Sequence, residues 1–197
     1  MNEQFDLLID SYLLNDIGIA PLFLTPELSA GLQQNIIQLQ QDNLMTPAGI
    51  GNDKQKHINN NIRTDKIYWL DKKHDNVFEK EFLQHAENFI EHLNRSCYTG
   101  INAYEFHYAV YEQGSFYKPH KDQFKNNSNR KFSLISYLND NWEVKDGGQL
   151  QIYKNEIIQQ IIPHSRTAVL FKSDEIEHEV IVANRQRMSI TGWLKTL

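Results

Sequence analysis

The sequence predicts an α+β chain that is mainly β: a jelly-roll, or double-stranded β-helix, with supporting helices toward its N-terminus. Three observations predict it. Apolar residues fall at helical spacing within about the first 100 positions, the apolar period shortens to two after Tyr104, and the later apolar runs are short and punctuated by turn residues. The first clear helix starts at Thr25-Pro26-Glu27, a hydroxyl cap followed by proline at the first helical position. Leu28, Leu32, Ile36 and Leu39 then form its stripe, and the helix is expected to end near Asn43. Residues 45–61 are polar, with Pro47, Gly49, Gly51 and three consecutive asparagines, which predicts a mobile surface loop. A second amphipathic helix is expected from about Val77 to Cys97, its apolar face including Phe78, Phe82, Phe89 and Leu93.

Seven strands follow: Tyr104 to Tyr111, Phe132 to Leu138, Gln149 to Tyr153, Glu156 to Ile162, Thr167 to Phe171, His178 to Val182 and Arg187 to Leu194. Lys154-Asn155 reads as a tight hairpin connection. Short strands at this spacing suit a closed sandwich with helices packed on one sheet. No linker-like break or repeat interrupts the 197 residues, and 40% hydrophobic content suffices for one core, so 1–197 reads as a single domain. Its helical part would cover about 1–100 and its jelly-roll about 101–197. Cys97 is the sole cysteine, which precludes an intramolecular disulfide, and the first residues carry no secretory pattern. Cytoplasmic residence is the expectation. No stretch approaches the roughly 20 apolar residues of a membrane span. A net charge of -5 argues against nonspecific binding to nucleic acid.

His120 and Asp122, two apart in Tyr117-Lys118-Pro119-His120-Lys121-Asp122, would project from one face of a strand, with His178 arriving from another strand. Two imidazoles and one carboxylate can occupy one face of an octahedral Fe(II) and leave three positions open for a cosubstrate and dioxygen. The pair alone is weak, since 8 His and 12 Asp in this length give roughly 0.5 His-x-Asp pairs by chance. Arg187 supplies context. Alternation puts Arg187, Ser189, Thr191 and Trp193 on one inward face, where a buried guanidinium calls for an anion. A dicarboxylate 2-oxo acid fits: one end chelates iron, and the other meets Arg187 with the Ser189 hydroxyl as a second donor. Each residue also has a plainer reading, His120 and His178 as surface or structural histidines, Arg187 as half of a salt bridge, and the tyrosines as core aromatics. His107 carries no assignment.

These residues, in this order, resemble the iron and 2-oxoglutarate dependent dioxygenases, specifically the prolyl hydroxylase branch. Ile62-Arg63-Thr64-Asp65-Lys66-Ile67-Tyr68-Trp69 is similar to the strand entering the catalytic domain of the hypoxia-inducible-factor prolyl hydroxylases and their bacterial relatives. Phe132 to Asn139, Trp142 and Asp146-Gly147-Gly148-Gln149-Leu150 resemble that family's central strands and Gly-Gly turn. The resemblance implies that Tyr137 and Tyr111 join Arg187 at the cosubstrate, that Thr191 lies near the iron ligands, and that Trp193 stands behind the site. It further implies that Arg63 and Asp65 shape the substrate groove and that the 45–61 loop closes over it. Implied cofactors are Fe(II), 2-oxoglutarate and O2, with ascorbate as a candidate reductant. The implied reaction hydroxylates a prolyl residue of an intracellular protein or peptide, a translation component among the candidates, and yields succinate and CO2. A small-molecule hydroxylase, a non-oxidative metal-binding jelly-roll and a zinc hydrolase are the alternatives; the zinc hydrolase leaves Arg187 and Ser189 unexplained.

Overall fold

The computed structural model describes residues 2–49, 58–123, 128–154 and 156–197. Residues 50–57 of the expected 45–61 loop and the second residue of the Lys154-Asn155 connection therefore lie outside the described residues. In chain order the elements are α1 (Asn2–Asn15), β1 (Ile17–Ala20), α2 (Pro26–Gln41), β2 (Thr46–Pro47), β3 (Lys66–Trp69), α3 (Val77–Cys97), β4 (Ala103–Tyr111) and β5 (Tyr117–His120). There follow β6 (Arg130–Tyr137), a 3-10 turn (Val144–Asp146), β7 (Leu150–Lys154), β8 (Ile157–Ile161), β9 (Ala168–Lys172), β10 (Glu177–Val180) and β11 (Arg187–Lys195).

Local chemistry explains the helix ends. The Thr25 side chain accepts the Leu28 N–H at 3.1 Å ahead of Pro26. Asn76 caps α3 by accepting from the N–H groups of Phe78 and Glu79 at 3.0 and 3.1 Å, and Tyr98 stops it in the left-handed region at φ 54°. Helix α1 escapes a reading by spacing because buried Phe5, Leu8 and Ile9 share it with exposed Leu7, Leu13 and Leu14, which blurs the apolar stripe.

All strands pair antiparallel within two sheets, ordered β1-β9-β6-β11-β4-β3-β2 and β5-β10-β7-β8. This is the mainly β, double-stranded β-helix architecture expected from the sequence. Period-two alternation divides the core. Phe106, Tyr108, Val110, Leu134, Leu170 and Ile190 face the helices and meet Phe5, Leu32, Phe82 and Phe89. From the same strands Ala109, Tyr111, Ile135, Tyr137, Val169 and Phe171 face the smaller sheet and meet Ile152 and Val180. The functional side chains lie in this second layer. Each of the seven expected strands is present with its ends within two residues. Spacing alone missed β1 and β3, each four residues long, and β2, two residues within the expected 45–61 loop.

Candidate active site

One expectation needs correction. His120 and Asp122 do not share a strand: β5 ends at His120, and Asp122 lies in the bend that follows. The chain leaves the smaller sheet there because Gln123 N–H donates to Ser173 O at 3.0 Å and Arg130 Nη1 donates to Asp122 O at 3.0 Å. His178, on β10, stands opposite His120 in the antiparallel register. Turn and register together place one ligand atom from each of His120, Asp122 and His178 within 4.8 Å of one another.

The tautomers suit metal binding. His178 Nδ1 meets Ile176 O at 3.2 Å and His120 Nδ1 meets Lys118 O at 2.8 Å, so each Nδ1 carries the proton and each Nε2 lone pair is free. Those Nε2 atoms lie 3.5 Å (His120) and 3.6 Å (His178) from the Asp122 carboxylate oxygens. Cis ligands about 2.1 Å from a divalent ion stand about 3 Å apart, so small side-chain shifts complete the shell. Burial pushes His178 down to about 4, which keeps it neutral, as a ligand must be. Although burial works against it, His178, His120 and the Ser133 hydroxyl hold the Asp122 carboxyl well below the usual carboxylate range. Tyr117 stacks on His120 with centroids 3.5 Å apart, and Phe171 meets the edge of His178 at 4.7 Å.

A cavity of about 570 Å³ opens between the sheets above these residues. Arg187 lines it and is 1% exposed. Its Nε donates to Gly148 O at 2.8 Å and its Nη1 to Ser189 Oγ at 3.3 Å, and no carboxylate among the described residues pairs with it. The rings of Tyr111 and Tyr137 flank the guanidinium at 4.9 and 5.1 Å. The buried Tyr137 hydroxyl has no hydrogen-bond partner among the described residues, and burial pushes it up to about 12, so it is a donor without an acceptor. A buried cation beside an unsatisfied phenol is costly in isolation. The carboxylate end of a 2-oxo dicarboxylic acid would satisfy both, and the His-Asp-His donor set fits Fe(II), so these residues fit both groups.

Thr191 and Trp193 also line the cavity, as does Arg63, whose partner Asp65 is buried behind it. The sequence reading missed His107 and Trp69 as cavity residues. His107 is 3% exposed, its ring lies 5.0 Å from Trp69 and 5.5 Å from Trp193, and burial beside Arg63 pushes it down to about 4. Counting back by two from Tyr111 through Ala109 puts His107 on the inner face, a signal available in the sequence.

Residues 106–195 match the sequence model of the 2OG-Fe(II) oxygenase superfamily. Among solved structures, a prolyl-4-hydroxylase from Pseudomonas putida is 27% identical, with a TM-score of 0.87 over 98% of this chain and 99% of that one. A prolyl hydroxylase from Trichoplax adhaerens, solved with a hypoxia inducible factor oxygen degradation domain peptide, is 26% identical, with a TM-score of 0.85 over 98% of this chain and 89% of that one. A viral collagen prolyl hydroxylase from Paramecium bursaria Chlorella virus 1, in complex with 2OG, is 15% identical, with a TM-score of 0.65 over 93% of this chain and 97% of that one, and speaks for the fold.

Proposed function

We propose that the chain, a 2OG-Fe(II) oxygenase of the prolyl 4-hydroxylase type, hydroxylates a prolyl residue in a protein or peptide of the cytoplasm, with a translation component among the candidates. In this reading the whole of 1–197 acts as one catalytic domain. His120, Asp122 and His178 hold Fe(II), and Arg187, Ser189, Tyr137 and Tyr111 bind the far carboxylate of 2-oxoglutarate. The iron and its cosubstrate supply the oxidation, in which O2 converts 2-oxoglutarate to succinate and CO2 while the target carbon gains a hydroxyl.

The protein's own tasks are to bind and orient. Arg187 fixes the cosubstrate by charge and by its planar fork, and the apolar walls from Ile135, Leu150 and Val180 exclude water from the reacting end. Arg63 and Trp69 at the cavity, with Asp65 behind, meet the polypeptide. Thr191 and Trp193 shape the space beside the iron ligands. Substrate choice is supported by the peptide-bound prolyl hydroxylase of 26% identity. Among the described residues no helix is long and apolar enough to cross a membrane.

The observation that carries the proposal is Arg187: a guanidinium 1% exposed, without a carboxylate partner among the described residues, lining the same cavity as the His-Asp-His group. Anaerobic addition of Fe(II) and 2-oxoglutarate should produce the weak visible charge-transfer band of a chelated 2-oxo acid. Arg187→Ala should weaken it, and Asp122→Ala should abolish it. Turnover is then sought as a mass gain of one oxygen on prolyl peptides, with free proline as the small-molecule comparison. Iron bound without any band would sink the proposal.

A further inference from the structure

Ser133 and Ser173 are both 0% exposed and sit between the two ligand-bearing segments. Ser133 Oγ lies 2.6 Å from Asp122 Oδ2 and 2.9 Å from Ser173 Oγ. An ionised carboxylate only accepts, so the single Ser133 proton goes to Asp122, and Ser173 must then donate to Ser133. The backbone of Ser173 fixes the far end, its N–H donating to Lys131 O at 3.1 Å and its carbonyl accepting the Gln123 N–H at 3.0 Å. Ser173 thus ties the residue after Asp122 to β6, five positions before His178. Both Asp122 oxygens lie near the imidazoles, Oδ1 3.5 Å from His120 Nε2 and Oδ2 3.6 Å from His178 Nε2, but among the described residues a hydroxyl donates to Oδ2 alone and no hydroxyl or amide donates to Oδ1.

We infer that Ser133 and Ser173 form a positioning relay that keeps Asp122 a one-oxygen ligand and so keeps a coordination position open for dioxygen; this rests on the metal site proposed above. A carboxylate can hold a hard cation through one oxygen or two. With two imidazoles and one carboxylate oxygen, an octahedral ion retains three positions, two for the 2-oxo acid and one for dioxygen. A second Asp122 oxygen would take the third. The Ser133 hydroxyl engages that oxygen, and Ser173 polarises the hydroxyl and denies it another acceptor.

The test titrates nitric oxide, as a probe of the open position, into the anaerobic full-length protein with Fe(II) and 2-oxoglutarate. It compares wild type, Ser133→Ala, Ser133→Thr and Ser173→Ala. The charge-transfer band reports cosubstrate chelation, and electron paramagnetic resonance reports nitric oxide on iron. Ser133→Ala should keep Fe(II) and 2-oxoglutarate affinity within about threefold and lose nitric oxide affinity by about tenfold or more. Ser173→Ala should fall between that variant and wild type, and Ser133→Thr should restore binding. Nitric oxide binding by Ser133→Ala equal to wild type overturns the relay, as does equal binding by Ser173→Ala should Ser133→Ala fail to fold. Absence of the band in wild type overturns the underlying metal-site reading instead.

Discussion

Asp65 grips Arg63 at two points, accepting from Nε at 2.8 Å and Nη2 at 2.6 Å, and is itself 1% exposed. The guanidinium lies over the Tyr117 ring at 4.2 Å, and Tyr117 in turn stacks on His120 at 3.5 Å. A continuous column of contacts thus runs from a buried carboxylate to one of the candidate iron ligands. Its rigidity depends on Asp65, because a two-point ion pair fixes the plane of the guanidinium as well as its charge.

Asp65→Ala removes the anion and leaves a largely buried cation, a class of change that costs about 3–5 kcal/mol. Asp65→Asn keeps one acceptor and should cost less. Urea unfolding at neutral pH measures both. A loss below about 1 kcal/mol in the alanine variant would mean that Arg63 swings into the cavity and finds water, and the column would not be a rigid unit.

Tyr137→Phe should act on stability and affinity in opposite directions. Its hydroxyl is buried without a partner among the described residues, so removing it relieves a desolvation penalty of about 1–3 kcal/mol. The unliganded protein should therefore be as stable as wild type or more so. If the hydroxyl serves the cosubstrate, the same change should weaken 2-oxoglutarate binding about tenfold, the worth of a hydrogen bond to a charged group. Calorimetric titration with Fe(II) present checks the affinity and a thermal melt the stability; unchanged affinity would remove Tyr137 from the pocket's donor set.

Helices α2 and α3 were legible from local signals: Thr25-Pro26 at the start of α2, and the long apolar stripe of Phe78, Phe82, Phe89 and Leu93 along α3. Helix α1 was not, since its exposed leucines hide the buried ones. The metal candidates and Arg187 were readable from residue type and order. The backbone that unites them was not, because the turn at Asp122 is set by contacts to Arg130 and Ser173, residues 8 and 51 positions away. His107 was hidden differently. Its strand is buried on both faces, so polarity does not mark the inner side, and Tyr111 must set the phase.

Acid should destabilise the metal-free protein in a defined window. Burial pushes His107 and His178 down to about 4, below the value near 6.5 of an unfolded chain. Between those values the unfolded state binds more protons, so their contribution is intact above pH 6.5 and is lost as pH falls toward 4. Each can remove up to about 3 kcal/mol. Unfolding free energies measured in a chelator from pH 8 to 4 should decline in that interval. The decline should be shallower for His107→Met, and an identical slope in that variant would show that His107 titrates normally.

Gly148→Ala should damage the cosubstrate pocket from outside it. Gly147 and Gly148 adopt φ of +66° and +65°, a region in which an L side chain is strained. A Cβ on Gly148 would stand 3.0 Å from Arg187 Cδ and 3.4 Å from Trp142, so the guanidinium stem would have to give way. Gly148 also accepts the Arg187 Nε–H at 2.8 Å through its carbonyl, so displacing the stem strains the bond that orients the fork. Backbone strain alone predicts a stability loss of about 1–2 kcal/mol. The Arg187 displacement predicts in addition a weaker grip on 2-oxoglutarate with Fe(II) affinity unchanged, because the metal candidates lie on other segments. Gly147→Ala separates the two effects: its Cβ would meet Val182 O at 2.2 Å rather than Arg187, so it should lose more stability. Comparing the two variants by urea unfolding and by 2-oxoglutarate titration, at a temperature where both are folded, decides the point. Equal loss of 2-oxoglutarate affinity in both would assign the effect to the turn as a whole and not to the contact between Gly148 and Arg187.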